Sequence, residues 1–279
     1  MTGAPLPGRF SPRRAQRALG GVARRAEGGP GTPPSRGRNR GYPTSSNRAS
    51  SFHLHWLPRA ELQSLGVTIT IPQNPVSSDL YFWALQASFA GREGVSGGAH
   101  LGLQWHNQYP GGTAVNWGGY DARGMILSGT DSDLPSPIGN PHTRAYPWRQ
   151  GGSYRLTIEA DRNLGPGWWR GAVTDLETGE EQAVRSLHSP GDRLMAAMTW
   201  TEAFCRCDAE PVAAIWSNPS GVTTNGDHYV AESCSTTYQL EADGGCSNTD
   251  SRVLPHGITQ ITGVPRTNPP GTLLPWTSI

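Results

Sequence analysis

Residues 98–106 read Gly98-Ala99-His100-Leu101-Gly102-Leu103-Gln104-Trp105-His106. An extended chain sends successive side chains to opposite faces. His100, Gly102, Gln104 and His106 therefore share one face, and Leu101, Leu103 and Trp105 share the other. This is the signature of a strand with one wet side and one side turned to a core.

The same two-residue period recurs on either side. Phe52-His53-Leu54-His55-Trp56 alternates, and Gly66–Ile71 places Val67, Ile69 and Ile71 opposite its threonines. Asp79–Ala90 keeps Tyr81, Trp83, Leu85 and Phe89 in step, and Ser153–Ala160 opposes Tyr154, Leu156 and Ile158 to Arg155, Thr157 and Glu159. Further strands are expected at 167–175, 193–204, 211–217, 227–231 and 235–240. Turn clusters separate them, such as Pro110-Gly111-Gly112 and Glu177-Thr178-Gly179-Glu180. After Ser247 one edge strand and an extended proline-rich finish are expected. Arg59–Leu65 is at most a turn or two of helix. Glycine (36) and proline (24) make up about a fifth of the 279 residues, too much punctuation for a helical bundle. The expected fold is all-β: a two-sheet antiparallel sandwich, jelly-roll or concanavalin-like, forming a single domain over residues 52–279. No apolar run is long enough for a membrane-spanning helix.

Charge divides the chain. Residues 1–50 hold ten arginines and one acid, Glu27, which gives +9, while the remainder holds thirteen arginines against twenty-one acids, which gives −8. All 23 basic residues are arginine, a usage that a GC-rich coding sequence explains. Residues 1–51 are read as a disordered basic tail, because Arg, Gly, Pro and Ser cannot bury enough apolar surface to offset ordering. Such an arm could hold a polyanion through phosphate contacts. Arg13-Arg14 looks like a twin-arginine pair, but the apolar stretch that should follow it is missing.

Several stretches resemble a bacterial domain-of-unknown-function family with a concanavalin A-like sandwich. They are Gly98–Gln104, Tyr81-Phe82-Trp83, Trp148-Arg149-Gln150-Gly151-Gly152-Ser153-Tyr154 and Asp175-Leu176-Glu177-Thr178-Gly179, in that family's order between Phe52 and Pro219. The resemblance implies the fold and an exported habit, and it supplies no catalytic residues. Gln104-Trp105-His106 is also similar to the Gln-x-His element of concanavalin-like alginate lyases. That similarity implies a histidine near a tyrosine acid/base and an arginine that neutralises the uronate. His106, Tyr154 and Arg155 are the catalytic candidates on that reading.

The candidate ligand-binding residues are His100, Gln104, His106, Trp117, Tyr120 and Asp121. Imidazoles and an amide on a wet sheet face suit sugar hydroxyls. Trp117 and Tyr120 flank Gly118-Gly119 in what reads as a loop, where an aromatic ring could stack on a pyranose. An ordinary polar sheet face accounts for the same pattern. Of the ten tryptophans, Trp83, Trp105, Trp200 and Trp216 are expected to fill the inter-sheet space, while Trp117, Trp148 or Trp169 would be informative if exposed. Glu159 and Glu202 lie on expected strands, but spacing alone does not bring them together as a hydrolase pair. No metal site is expected. Asp131 and Asp133 make at best a weak calcium loop, and no other cofactor is implied.

Cys205, Cys207, Cys234 and Cys246 lack the knuckle spacing of a zinc ribbon, so disulfides are expected, bridging the 205–207 strand end to Cys234 and Cys246. Disulfides imply an oxidising, extracellular location; without them the cytoplasm is the alternative. The leading expectation is a glycan-recognition, lectin-like sandwich with a glycan or polysaccharide partner. The alternatives are a polysaccharide lyase or glycoside hydrolase, and a structural or interaction module.

Overall fold

The computed structural model describes residues 39–277. Its strands are β1 (Ser50–Leu57), β2 (Leu62–Thr70), β3 (Tyr81–Gly91), β4 (Gly94–Trp105), β5 (Thr113–Asp121), β6 (Thr143–Ala145), β7 (Ser153–Ala160) and β8 (Trp168–Asp175). They continue as β9 (Glu181–His188), β10 (Arg193–Ala203), β11 (Ala213–Thr223), β12 (His228–Val230), β13 (Ser233–Tyr238), β14 (Thr249–Leu254), β15 (Gly257–Thr262) and β16 (Leu273–Pro275). Every pairing is antiparallel. One ladder runs β16-β13-β1-β10-β3-β4-β5-β6, here called sheet I. The other, sheet II, runs β14-β15-β11-β2-β7-β8-β9, with β12 on β11. A single bridge, Leu62 to Leu194, joins the two. The expected all-β sandwich is the fold observed.

The core follows from the alternation. Phe52, Leu54 and Trp56 of β1, Trp83, Leu85 and Phe89 of β3, and Leu101 and Leu103 of β4 turn inward from sheet I. Val67, Ile69, Tyr154, Leu156, Ile158, Trp169, Val173 and Trp216 meet them from sheet II. Burying each large side chain contributes about 1.5–3 kcal/mol of apolar transfer. A buried amide bridges the two sheets across this core. The Gln260 amide oxygen accepts from Thr201 Oγ1 at 3.0 Å and Trp216 Nε1 at 2.9 Å, and its nitrogen donates to the Phe52 carbonyl at 2.8 Å. Both sheets share that amide, and every bond it makes replaces one that burial removed.

Several local expectations change. The stretch read as a loop around Trp117 is β5, an interior strand of sheet I between β4 and β6. Its glycines misled the reading, yet they are what packing demands, since a Cβ on Gly119 would sit 2.3 Å from the Gly98 carbonyl. The end of the chain forms a hairpin, β14–β15, and the short strand β16 rather than one edge strand. Residues 41–50 belong to the body: Ser45 and Ala49 are buried, and Asn47 reaches β10. The rest of the basic-tail expectation, including polyanion contact, lies mainly outside the described residues.

Cys207 and Cys246 form a disulfide, with Cα atoms 5.5 Å apart and a sequence separation of 39. The second expected bridge is absent: Cys205 and Cys234 are buried free thiols. Register explains this. Strand β1 lies between β10 and β13, with Ser50 opposite Ala203 and Trp56 opposite Cys234. The two thiols therefore sit at opposite ends of β1, roughly 20 Å apart at strand spacing, beyond any disulfide.

Candidate functional site on the outer face of sheet I

A one-residue irregularity in β10 creates the site. Leu194 pairs with Phe89 and faces the core, and uninterrupted alternation would send Met198 and Trp200 inward with it. Between Met195 and Met198 the register slips by one residue, and Ala196 takes a left-handed φ of 53°. The bulge inverts the phase of everything after it. Thr199 and Thr201 turn into the core, while Met198, Trp200 and Glu202 turn outward. Trp200 is thus not an inter-sheet residue, contrary to the sequence expectation.

Cross-strand neighbours complete this face. Glu202 lies opposite Ser51 of β1 and Phe82 of β3, and Phe82 lies opposite Gln104 of β4. Phe82, Ala84, Met198 and Trp200 form a second apolar cluster, separate from the main core. Phe82 meets Trp200 edge-on at 4.9 Å between ring centroids, and His100 meets both, at 5.4 and 5.7 Å. His53 of β1 tilts against Trp200 at 6.3 Å. Trp200 Nε1 donates to the Gln86 amide oxygen at 2.9 Å. The cluster is closed to solvent: Phe82, Ala84, Met198 and Trp200 are 1%, 0%, 2% and 5% exposed, with His53 and His100 half-buried beside them.

Electrostatically the face is almost neutral. Burial holds His53 and His100 far below the usual imidazole range, at about 3 each, assisted by His55 and His142 respectively. Burial likewise pushes the Glu202 carboxyl up to about 7. Its Oε1 accepts from Asn47 Nδ2 at 2.7 Å and Ser51 Oγ at 3.1 Å, whereas its buried Oε2 has no partner. Tyr120, toward the far end of β5, is pushed up to about 12 by burial and by the Glu202 charge. With its pKa raised to near neutrality, the Glu202 carboxyl keeps one buried oxygen without a hydrogen-bond partner among the described residues.

The residues expected from sequence are distributed as follows. His100 is half-buried on this face, with Gln104 on the same face and Leu101 and Leu103 behind them. Gln104 is buried, and its side-chain oxygen accepts from Tyr109 and Thr143, each at 3.2 Å. His106 lies just past β4, where its Nδ1 accepts from the Gln108 amide at 3.1 Å. Trp117 is fully buried in the core, and so, nearly, are Trp148 and Trp169. The Asp121 carboxylate is taken up by a turn, accepting from the Arg123 and Met125 amides at 2.9 and 2.8 Å.

Tyr154 and Arg155 are on sheet II and do not join His106. Tyr154 faces the core, where its hydroxyl accepts from the Arg149 amide at 2.7 Å. Arg155 faces outward and donates to the Asn218 carbonyl and Ser220 Oγ. The lyase constellation expected from those three residues is therefore not assembled. No group of three or more His, Cys, Asp or Glu side chains among the described residues is placed to hold a metal ion. A cleft of about 500 Å³ on sheet II involves Gln63, Glu159, Asp161, Arg162 and Arg170, but Arg170 there is neutralised by Glu159 and Glu181.

No family model matches this chain, and no curated protein matches it. Among solved structures, it is similar to a scytalido-glutamic peptidase with a peptide-based transition-state analogue, at 12% identity and TM-score 0.44, over 76% of this chain and 98% of that one. Peanut lectin with a nine-residue peptide is similar at 11% identity and TM-score 0.24, over 55% and 71%. A native glycosidic hydrolase is similar at 10% and 0.26, over 58% and 80%. At these values the likenesses assign neither ligand nor activity.

Proposed function

We propose that the outer face of sheet I recognises a glycan, with the half-buried His53 and His100 as its hydrogen-bonding surface, packed on the buried rings of Phe82 and Trp200, and with the buried Glu202 beside them as a donor. One observation carries the reading: the aromatic cluster adjoins a buried carboxyl oxygen that no described residue satisfies. A pyranose offers an apolar C–H face to rings and hydroxyl groups to flanking polar atoms. Neutral imidazoles and a protonated carboxyl present both donors and acceptors without a fixed charge that water would compete for. The Cys207–Cys246 bond supports an exported protein. No helix among the described residues is long and apolar enough to cross a membrane.

The test is a glycan-array screen of the full chain, followed by titration of the best hit. Trp200→Ala is expected to lower affinity at least tenfold, and Glu202→Gln to keep binding at pH 5 while losing the wild-type decline at higher pH. Unchanged binding in Trp200→Ala overturns the reading.

Glu202 alone favours a second reading, a hydrolase in which it protonates a leaving group. Among the described residues no other carboxylate perturbs it, so a two-acid glycosidase arrangement is not assembled around it. Product release from a bound oligosaccharide that stops in Glu202→Gln while binding persists would select this reading over recognition alone.

A further inference from the structure

The buried Glu202 carboxyl adjoins a stretch of chain that belongs to no strand. Residues 41–49 lead into β1, and the turn from Ser45 to Arg48 closes with the Arg48 amide donating to the Ser45 carbonyl at 2.9 Å. Within that turn the Asn47 side chain is fixed in one sense. Its Oδ1 accepts from Ser45 Oγ at 2.8 Å and from the Ala49 amide at 3.3 Å, which leaves Nδ2 to donate to Glu202 Oε1 at 2.7 Å. An amide whose oxygen is committed elsewhere offers a carboxyl only its N–H, so the turn sets what Glu202 meets.

Two arms of the chain hold this stretch. On one, the Gly41 amide donates to Asp208 Oδ1 at 3.2 Å, the Cys207 amide donates to the Gly41 carbonyl at 2.7 Å, and the Arg206 guanidinium lies over the Tyr42 ring at 5.8 Å. On the other, the Thr44 amide donates to the Gly244 carbonyl at 3.0 Å, and the Cys246 amide donates to Ser50 Oγ at 2.9 Å. The Cys207–Cys246 disulfide joins the two arms. The fit is closest at Gly244, whose φ is 83° and where a Cβ would stand 2.3 Å from the Ser45 nitrogen. Tyr42, Thr44, Ser46 and Arg48 are exposed, so the stretch buries little of its own. Strands β1, β3 and β10 are instead laddered on both sides. Segments with few buried contacts open locally at a lower free-energy cost than the strands they cover.

We infer that residues 41–49 are a strap over the Glu202 end of this face, latched by the disulfide-joined arms, and that its local opening admits a ligand to the carboxyl. Glu202 is 5% exposed and its buried Oε2 is unpaired, so a partner for that oxygen arrives only once something covering it moves. The nature of the ligand rests on the glycan reading proposed above; the strap is tested without any ligand.

The experiment treats the full chain with a water-soluble carbodiimide and glycine ethyl ester at pH 5, which amidates accessible carboxyls, and reads each site by mass spectrometry. Glu177, with 75% of its side chain exposed, is the internal standard, and Glu202 is expected to label far more slowly in the wild type. Two variants release the strap from different sides: Gly244→Ala, which pushes Ser45 away, and Cys207→Ser with Cys246→Ser, which separates the arms. Hydrogen–deuterium exchange over residues 41–49 reports the release, and exchange over 98–104 reports whether sheet I is intact. Both variants are expected to speed exchange in 41–49 and to raise Glu202 labelling about tenfold or more, with Glu177 unchanged. Asn47→Ala leaves both arms in place and is expected to raise Glu202 labelling about threefold. Faster exchange in 41–49 without faster labelling of Glu202 overturns the strap, and so does unchanged exchange in both release variants. If both release variants lose sheet I, an unchanged Glu202 rate in Asn47→Ala overturns it. The labelling result obtained in a chain that binds no glycan upholds the strap and removes the glycan reading. A glycan that binds wild type and Gly244→Ala at one association rate, with Glu202 labelling unchanged, does the reverse.

Discussion

Replacing Glu202 with glutamine should flatten part of the pH dependence of stability. The perturbation keeps the shape of the side chain and preserves an oxygen for Asn47 and Ser51, while removing the ionisable proton. In the folded chain the carboxyl titrates at about 7, against an ordinary glutamate value of 4.5. A folded state that holds its proton more tightly than the unfolded chain contributes stability that is complete below 4.5. That stability is lost as pH rises through 7. At about 1.4 kcal/mol per pH unit the gap is worth on the order of 3 kcal/mol. Urea unfolding of wild type and Glu202→Gln at half-unit steps from pH 4.5 to 8.5 isolates the effect, because other titrating groups are common to both. The stability difference should move by about 3 kcal/mol in favour of the variant across that range. A difference that stays constant with pH means that the carboxyl is solvated or paired, and the account of the face as a dry, neutral surface is then wrong.

The same environment predicts that the His53 and His100 rings stay neutral at pH 5, which carbon–proton NMR of the imidazoles reads directly; a midpoint near 6.5 for either contradicts their burial. Gln260→Met should destabilise by about 2–4 kcal/mol in urea unfolding, since it strands the Thr201 hydroxyl, the Trp216 indole N–H and the Phe52 carbonyl inside the core. Cys207→Ser with Cys246→Ser should cost about 4 kcal/mol from the 39-residue loop it releases, checked by thermal and urea unfolding. Cys205 and Cys234, pushed up by burial to about 11 and 12, should resist alkylation at pH 8 until urea unfolds the chain; rapid labelling of the native protein would contradict their placement.

Periodicity made most of the fold legible. Strands β1, β3, β7 and β8 lie within a few residues of their expected limits, whereas β4 begins at Gly94, six residues before the expected His100. Strand β5 was not legible, since paired glycines signal a turn in sequence but permit close strand approach in space. Half of the candidate site was legible too. His100 and Gln104 share a face as alternation requires, since β4 is regular through that stretch. Trp200 and Glu202 escaped because the bulge at Ala196 inverts their phase. The available signal was Glu202 itself: a carboxyl two residues beyond a tryptophan on one strand face argues that the face is not core. The Arg185–His142 contact had no local signal at all, because a strand of sheet II and a loop meet there only through the packing of the sheet edges.

The central claim is that ligand occupies the outer face of sheet I, and hydrogen–deuterium exchange on the full chain, with and without the tightest-binding oligosaccharide from the array, tests it most directly. The account predicts added protection in residues 82–86, 98–104 and 198–202. Protection confined to residues 159–170 of sheet II, with those three segments unchanged, would contradict it.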